Sequence, residues 1–214
     1  MREPMLKQVI FIDPPYQAYY KNQIFSDDPV LNRDNTLVTN RRLKQWLEGR
    51  HISLMTADYL FDGCVSFNQG AYVSMGLLHD FSTFASKYNV KLKYFFIFEP
   101  PVVKPELYAA LPMLTRYFEK VFIHNVEGDG YSLKGVDQAK LEKLFWPQPF
   151  HDVLEQFWSQ ADRLKKIIII NGKHAPISKN RELYSQRIEA MCALSKHNAI
   201  DLFGMGWNRL IARD

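Results

Sequence analysis

A turn with several basic residues follows the most apolar run of the chain. Residues 167–191 read IIIINGKHAPISKNRELYSQRIEAM. The four isoleucines predict a strand buried on both faces, and a helix with Arg181 in its first turn follows Gly172, Lys173 and His174. The N–H groups of a helix N-terminus and nearby cations suit a phosphate. The turn has neither P-loop spacing nor a dinucleotide fingerprint, so no standard motif names its ligand.

A second motif with chemical meaning is IDPPY at residues 12–16, directly after a predicted strand. It matches the DPPY loop of amino-methyltransferases, and DLFGMGW at 201–207 loosely matches a turn that holds S-adenosylmethionine. Such a cofactor turn must open onto a helix whose N-terminus receives the ligand, but Trp207 crowds it and seven residues follow. A rigid turn after an edge strand is therefore favoured for DPPY, and the methyltransferase stays as an alternative.

The elements that would position these residues alternate between strands and helices. Strands are predicted at 8–13, 51–58, 92–99 and 120–125, helices at 36–49 and 76–89, and a further helix of about ten residues before the last strand. This alternation predicts an α/β fold with a Rossmann-like parallel sheet and flanking helices.

A break in the pattern at FWPQPF divides the chain. We predict a Rossmann-like domain over residues 1–150, a linker helix over 151–166, and the first β–α–β of a second Rossmann-like domain over 167–214. That second unit has a strand at 167–170, a helix from about 180 to 196 and a strand at 199–204. Two strands and one helix cannot cover their own apolar faces, so the second domain reads as incomplete.

The bulk composition excludes several functional classes. The 214 residues include 27 basic and 23 acidic side chains, and the net charge of +4 suits an anionic ligand but not nucleic-acid binding. Cys64 and Cys192 are expected to be reduced, buried thiols, and the histidines lack metal-ligand spacing. The N-terminus has no apolar run long enough for a signal peptide or a transmembrane segment, so a cytoplasmic protein is expected.

Several segments together resemble one enzyme family. FFIFEPPVVKPELY, YFEKVFIHN and LFWPQP resemble segments that follow in the same order in the family 10 glycosyltransferases, the α-1,3/4-fucosyltransferases. IIIINGKHAPISKNRELYSQRIEAM with IDLFGMGWN resembles the opening of their donor domain. LKQWLEGRHISLMTADYL is similar to the opening of bacterial members. The resemblance implies a GT-B fold and inverting transfer of L-fucose from GDP-fucose to a glycan hydroxyl, without an obligatory metal or other cofactor.

The resemblance also implies roles for individual residues. Glu99 falls where the family has its candidate general base, and a carboxylate at the end of a parallel strand can take a proton from an acceptor hydroxyl. The alternative is that Glu99 only caps a turn before two prolines. Arg181 falls where the family binds the donor diphosphate, and a guanidinium there would stabilise the departing GDP. The spacing leaves Lys179 or Lys173 as alternatives, with Gly172 in the same turn.

The sequence also departs from the family. Relatives continue after the GxGWN-like segment into a strand with a Glu-Asn pair and a Tyr-x-Thr-Glu-Lys stretch, and neither occurs before Asp214. We therefore expect a truncated bacterial glycosyltransferase of surface polysaccharide synthesis, with little activity alone. Its expected partners are a nucleotide sugar and a glycan acceptor, with homo-oligomer formation left open. The alternatives are the methyltransferase and a non-catalytic carbohydrate-binding domain.

Overall fold

The computed structural model describes residues 6–32, 35–146, 167–170, 172 and 183–206. The chain divides into two compact units, Met1–His151 and Asp152–Asp214, which are described separately. No helix in the described ranges is both long and apolar enough to cross a membrane.

The first unit is built on a six-stranded sheet in which every neighbouring pair is parallel. Its strand order is β2-β1-β3-β4-β5-β6. The strands are β1 (Leu6–Asp13), β2 (Ser53–Thr56), β3 (Phe67–Ser74), β4 (Val90–Phe96), β5 (Lys120–Ile123) and β6 (Leu141–Lys143). The helices are α1 (Val38–Glu48), α2 (Asp58–Phe61), α3 (Phe81–Tyr88), α4 (Pro105–Ala109) and α5 (Leu111–Tyr117). The predicted α/β, Rossmann-like parallel sheet with flanking helices is confirmed.

Strand β1 lies inside the sheet, between β2 and β3. The expectation of an edge strand before DPPY was therefore wrong. A short β2 pairs with β1 from Val9 to Ile12 and occupies the edge instead. The chain proceeds from β1 outwards to β2 and then crosses to β3, so the strand order reverses between β1 and β3. Ligands of doubly wound sheets bind at the carboxyl ends of the strands beside such a reversal.

Strand β3 was not predicted from the sequence, although it pairs with both β1 and β4. Its first half reads Phe-Asn-Gln-Gly, in which polar residues and a glycine interrupt the apolar alternation. Gly70 is required by packing, since a Cβ there would lie 2.5 Å from Phe67 Cε2 and 2.8 Å from Val90 Cγ1. Gly70 thus makes the sequence pattern of a strand less recognisable, and it is needed because the side chains of Phe67 and Val90 pack against its backbone.

Two hydrophobic cores lie on opposite faces of the sheet. Alternate residues of β1 point to opposite faces, so Val9 and Phe11 join the first core and Ile12 joins the second. The first core packs the sheet against α3, α4 and α5 with a Phe- and Tyr-rich interior. The second core packs it against α1 and the segment that precedes α1, through Ile24, Phe25 and Leu37 among others. The high aromatic content is thus mainly core material.

Several predicted boundaries shift for identifiable reasons. Helix α3 begins only at Phe81, because Asp80 is its N-cap and accepts a 3.1 Å hydrogen bond from the Ser82 N–H. The helix predicted before β5 is divided at Ala110 into α4 and α5, because Pro112 has no N–H to continue the ladder.

The second unit contains β7 (Ile167–Ile170), α6 (Tyr184–Ser195) and β8 (Ile200–Phe203), and the two strands are parallel. The order of strand, helix and strand agrees with the prediction, but the predicted burial of the four isoleucines on both faces was wrong. Ile168 is 61% exposed and Ile170 is 78% exposed. In the described part of this unit, a two-stranded sheet with one helix does not cover both faces of β7.

Both cysteines are free and exposed, which corrects the prediction of buried thiols. Cys64 follows α2 in a loop, and Cys192 lies on the solvent side of α6. Their wide separation in sequence was consistent with reduced thiols but carried no information on burial.

Candidate functional site

A cleft of about 390 Å³ opens at the carboxyl ends of the strands in the first unit. It is lined by residues that follow β1, β3, β4 and β6 and by the start of α1, namely Pro15, Tyr16, Tyr19, Ile24, Thr36, Leu37, Asn40, Met75, Gly76, Leu77, Phe98, Glu99, Lys104, Leu107 and Trp146. The strand order reverses beside it, between β1 and β3. The cleft therefore occupies the position where doubly wound sheets bind ligands.

Glu99 lies on this cleft. The sequence predicted that it ends a strand, but it follows the end of one. Strand β4 stops at Phe96, and three hydrogen bonds then hold the extended segment that carries Glu99. The Ile97 N–H donates to the Phe122 carbonyl at 2.9 Å, and His124 Nε2 lies 2.5 Å from the Phe98 carbonyl. Tyr108 donates to the carbonyl of Glu99 itself at 3.0 Å. The backbone of Glu99 is thus fixed by the neighbouring strand and by α4.

The side chain of Glu99 is exposed, in contrast to its backbone. Among the described residues, no ion pair involves its carboxylate, and the nearby Lys104 pairs with Glu106 at 3.5 Å instead. A solvent-facing carboxylate without a cationic partner can accept a hydrogen bond or a proton from a ligand hydroxyl. The alternative role as a turn cap is not seen in the described residues, because the 100–104 turn is closed by backbone bonds to Pro100.

Aromatic side chains form much of the remaining wall. Trp146 contacts Phe98 edge-to-face with ring centroids 5.0 Å apart, and Tyr16 contacts Tyr19 at 5.8 Å. Tyr16 is 65% exposed and can stack on a bound ring. Aromatic faces combine an apolar surface with polar tips, a composition that suits ligands with both C–H and O–H groups.

The Asp13 cluster, which we define as Asp13, Tyr20, Tyr72 and His79, lies at the end of β1 and supports one wall of the cleft. Asp13 is fully buried. Its Oδ1 accepts a hydrogen bond from the Tyr20 hydroxyl at 2.7 Å. Its Oδ2 accepts one from the Tyr72 hydroxyl at 2.5 Å and lies 2.7 Å from His79 Nε2. A buried carboxylate is tolerated only when it is bonded in this way.

The segment that follows β1 is also hydrogen-bonded to the end of β2. Asn22 accepts a hydrogen bond from the Thr56 N–H at 3.0 Å through its side chain and donates its own N–H to Thr56 Oγ1 at 2.9 Å. Lys21 donates its N–H to Asp58 Oδ2 at 3.0 Å. Lys21 and Asn22 both adopt positive φ angles, and these hydrogen bonds to Thr56 and Asp58 help to hold them in place. The residues before and after, Tyr19 and Ile24, are thereby fixed against the cleft.

Burial and the Asp13 carboxylate raise the pKa of two tyrosines in the cluster. The largest cause of the raised pKa of Tyr72 is removal from water, and the second is the negative charge of Asp13. The largest cause for Tyr20 is also removal from water, and the second is its hydrogen bond to Asp13. Both hydroxyls therefore stay protonated and remain donors to Asp13. Burial likewise raises the pKa of Tyr108 to about 12, with smaller contributions from Tyr131 and Glu99.

This arrangement makes Asp13 unsuitable as the carboxylate of a methyltransferase DPPY loop. That chemistry needs an accessible side chain that accepts a hydrogen bond from the amino group to be methylated. Both oxygens of Asp13 are already bonded within the protein, and the side chain has no exposed surface. The DPPY turn is therefore better explained as the anchor of the segment that follows β1.

The predicted donor-binding residues lie mostly outside the described part of the chain. Arg181, Lys173 and Lys179 fall in the range 173–182, and their diphosphate role stays a prediction. Gly172 is described and is half-buried. Within the described ranges, no group of three or more histidine, cysteine, aspartate or glutamate side chains could hold a metal ion.

A larger cleft of about 510 Å³ lies at the opposite end of the sheet, near the amino ends of β1, β3 and β4. Its wall includes Gln8, Gly70, Lys91 and Lys93. Ligands of doubly wound sheets bind outside the carboxyl ends of the strands, beside the reversal of strand order, so we assign the functional site to the smaller cleft at the carboxyl end.

Comparison with known proteins adds no assignment. No protein-family model, no curated protein and no solved structure matches this chain.

Sequence reasoning did not find two features of the cleft. Asn40 is a polar residue inside an amphipathic helical pattern, and nothing in its spacing distinguished it from a surface position. Tyr19 belongs to a short 3₁₀ helix, Gln17–Tyr19, in a stretch without periodicity. The cluster of aromatic residues just after DPPY was the available signal, because residues that follow a strand of a parallel sheet gather at its carboxyl end.

Proposed function

We propose that this chain is the acceptor-binding part of an inverting glycosyltransferase that resembles the fucosyltransferases, with Glu99 as the general base. The observation that carries the proposal is the exposed carboxylate of Glu99, which forms no ion pair with the described residues, on an aromatic-lined cleft at the carboxyl end of a parallel sheet. A sugar acceptor needs an apolar surface for its C–H face and a base near one hydroxyl. The cleft supplies both.

In the proposed reaction, the hydroxyl of the acceptor attacks the anomeric carbon of L-fucose in GDP-fucose. A new C–O bond forms while the bond between that carbon and the β-phosphate oxygen breaks, and the configuration inverts. The hydroxyl proton passes to the Glu99 carboxylate, and GDP leaves with the electron pair of the broken bond. General-base catalysis of this kind contributes about 10²- to 10⁴-fold in rate. The resemblance assigns the donor diphosphate to Arg181, Lys179 or Lys173, and this role stays a prediction.

The proposal is tested in two steps with the full chain. An array of oligosaccharides identifies the glycan that binds, and transfer of labelled fucose from GDP-fucose to that glycan is then measured for the wild type and for Glu99→Gln. We expect glycan binding by both proteins and, where the wild type transfers fucose, a loss of at least about 10²-fold in the variant. Glu127→Gln is the matched control, since Glu127 is exposed and lies outside the cleft lining.

The outcomes separate the candidate functions. Glycan binding without GDP-fucose binding or transfer would favour a non-catalytic carbohydrate-binding domain, which the same aromatic cleft also supports. Absence of binding to every glycan on the array would refute the proposal. Binding of S-adenosylmethionine would return the methyltransferase as the leading candidate, despite the occupied hydrogen bonds of Asp13.

A further inference from the structure

One buried polar group in the wall of the cleft has no partner. Asn40 lies in the first turn of α1 and is 4% exposed. Its Oδ1 atom is buried and makes no hydrogen bond in the described part of the chain. Asn40 nevertheless belongs to the lining of the 390 Å³ cleft. A buried acceptor without a partner costs about 1–3 kcal/mol, so the position is unfavourable for the free protein.

The surroundings of Asn40 do not explain the side chain as a structural element. Leu37 precedes it by one turn, and both Leu37 and Ile24 are buried apolar residues of the same wall. An apolar side chain at position 40 would extend the second core without any unsatisfied atom. The helix start does not depend on it, since the Leu37 N–H is bonded to Asn32 Oδ1 at 2.9 Å and the Arg41 N–H to the Leu37 carbonyl at 3.0 Å.

We propose that Asn40 is a ligand-binding residue of the cleft, whose carboxamide oxygen accepts a hydrogen bond from a hydroxyl of a neutral sugar. The terminal torsion of asparagine is broad, so a small rotation turns the oxygen towards the cleft. Asn40 and Glu99 would then recognise two hydroxyls of one sugar, while Tyr16 covers its C–H face. The identity of the ligand as a sugar acceptor rests on the proposed function.

The charges of the cleft select among ligands that could donate to Asn40. Glu99 disfavours an anionic ligand, and Lys104, the basic residue of the lining, is already paired with Glu106 at 3.5 Å. The lining therefore offers acceptors and aromatic faces rather than a site for a carboxylate or phosphate. A neutral, polyhydroxylated ring satisfies these groups, and an acidic sugar does not.

The test measures thermal stability and ligand affinity. Loss of a structural asparagine lowers the stability, whereas loss of a ligand-binding asparagine lowers the affinity. For Asn40→Leu and Asn40→Ala, we measure the Tm of the free protein and the Kd for the neutral oligosaccharide that binds the wild type best on the array. We expect the Asn40→Leu Tm to equal or exceed that of the wild type, because the unpaired acceptor is gone. We expect the Kd to rise about tenfold in both variants, the effect of one lost hydrogen bond.

Two controls and the contrary outcomes complete the experiment. Gln45→Ala, an exposed position of the same helix, should change neither Tm nor Kd, and sialylated oligosaccharides should bind more weakly than their neutral counterparts. A markedly lower Tm in both Asn40 variants would overturn the inference by showing a structural role, and an unchanged Kd would overturn it directly. If the wild type binds no glycan, the proposed function fails as well, whereas an unchanged Kd leaves that function standing.

Discussion

The Tyr20 hydroxyl lies 2.7 Å from Asp13 Oδ1 and ties the segment after β1 to the sheet. Tyr20 belongs to an irregular stretch between two 3₁₀ helices, Gln17–Tyr19 and Gln23–Phe25, whereas Asp13 is the last residue of an inner strand. This bond and those of Asn22 to Thr56 hold the aromatic wall of the cleft in place. The buried charge of Asp13 thus acts on the site by positioning other residues.

We expect Tyr20→Phe to lower the free energy of unfolding by about 1.5–3 kcal/mol, the usual contribution of a hydrogen bond to a charged group. The loss arises because Asp13 stays buried with one donor fewer. Urea denaturation at neutral pH measures the effect. Tyr16→Phe is the matched control, since Tyr16 is largely exposed and lies four residues away. Equal destabilisation by both variants would contradict a specific role for the Tyr20 hydroxyl.

We expect Gly70→Ala to destabilise the first unit by about 1–3 kcal/mol, as overpacking of a core does. The added Cβ would overlap Phe67 and Val90, and β3 would have to shift between β1 and β4. Thermal denaturation followed by circular dichroism measures the change. Gly49→Ala is the control, because Gly49 has a φ of −61° and its Cβ would make only ordinary contacts from 3.5 Å. It should be neutral or slightly stabilising, and a comparable loss there would refute the packing argument.

We expect the stability of the protein to fall between about pH 10 and pH 12, with Tyr108 as one contributor. The unfolded chain releases the Tyr108 proton near its ordinary pKa of 10, whereas the folded chain retains it up to about 12. The contribution of Tyr108 to the free energy of unfolding is therefore complete below about pH 10. It decreases as the pH rises towards about 12, by about 1.4 kcal/mol per pH unit for one group. The measurement is the free energy of unfolding in urea at several alkaline pH values.

Tyr108→Phe provides the comparison for this pH dependence. The variant has no phenolic hydroxyl at position 108. Its free energy of unfolding should therefore decrease less steeply between about pH 10 and pH 12, by about 1.4 kcal/mol per pH unit. Tyr20 and Tyr72 remain in both proteins and cancel in the difference between the two curves. Parallel curves for the wild type and the variant would show that the Tyr108 hydroxyl does not titrate in this range on unfolding.

The sequence was sufficient for much of the alternation of strands and helices in the first unit, because β1, β4 and β5 each contain a short run of β-branched or aromatic residues. It was insufficient for β3, where Gly70 serves a contact between distant segments that no local pattern reveals. The exposure of Ile168 and Ile170 has the same origin, since burial depends on which elements cover a strand. Tertiary context decided each of these cases.

The candidate site was predictable only in part, for a related reason. Glu99 was selected through the resemblance and does reach the cleft, but three hydrogen bonds from β5 and α4, not a strand end, place it there. Asn40 could not be selected from the sequence. It stands out only because its buried Oδ1 atom has no hydrogen-bond partner within the described residues. Such an absence follows from packing in three dimensions and leaves no trace in residue spacing.

The fifteen described residues that line the cleft all fall between Pro15 and Trp146, inside the unit Met1–His151. The described wall of the cleft is thus supplied by one compact unit. Changes of sequence in Asp152–Asp214 leave the chemical composition of that wall unaltered, so the selectivity of the cleft and the sequence of the second unit can diverge independently.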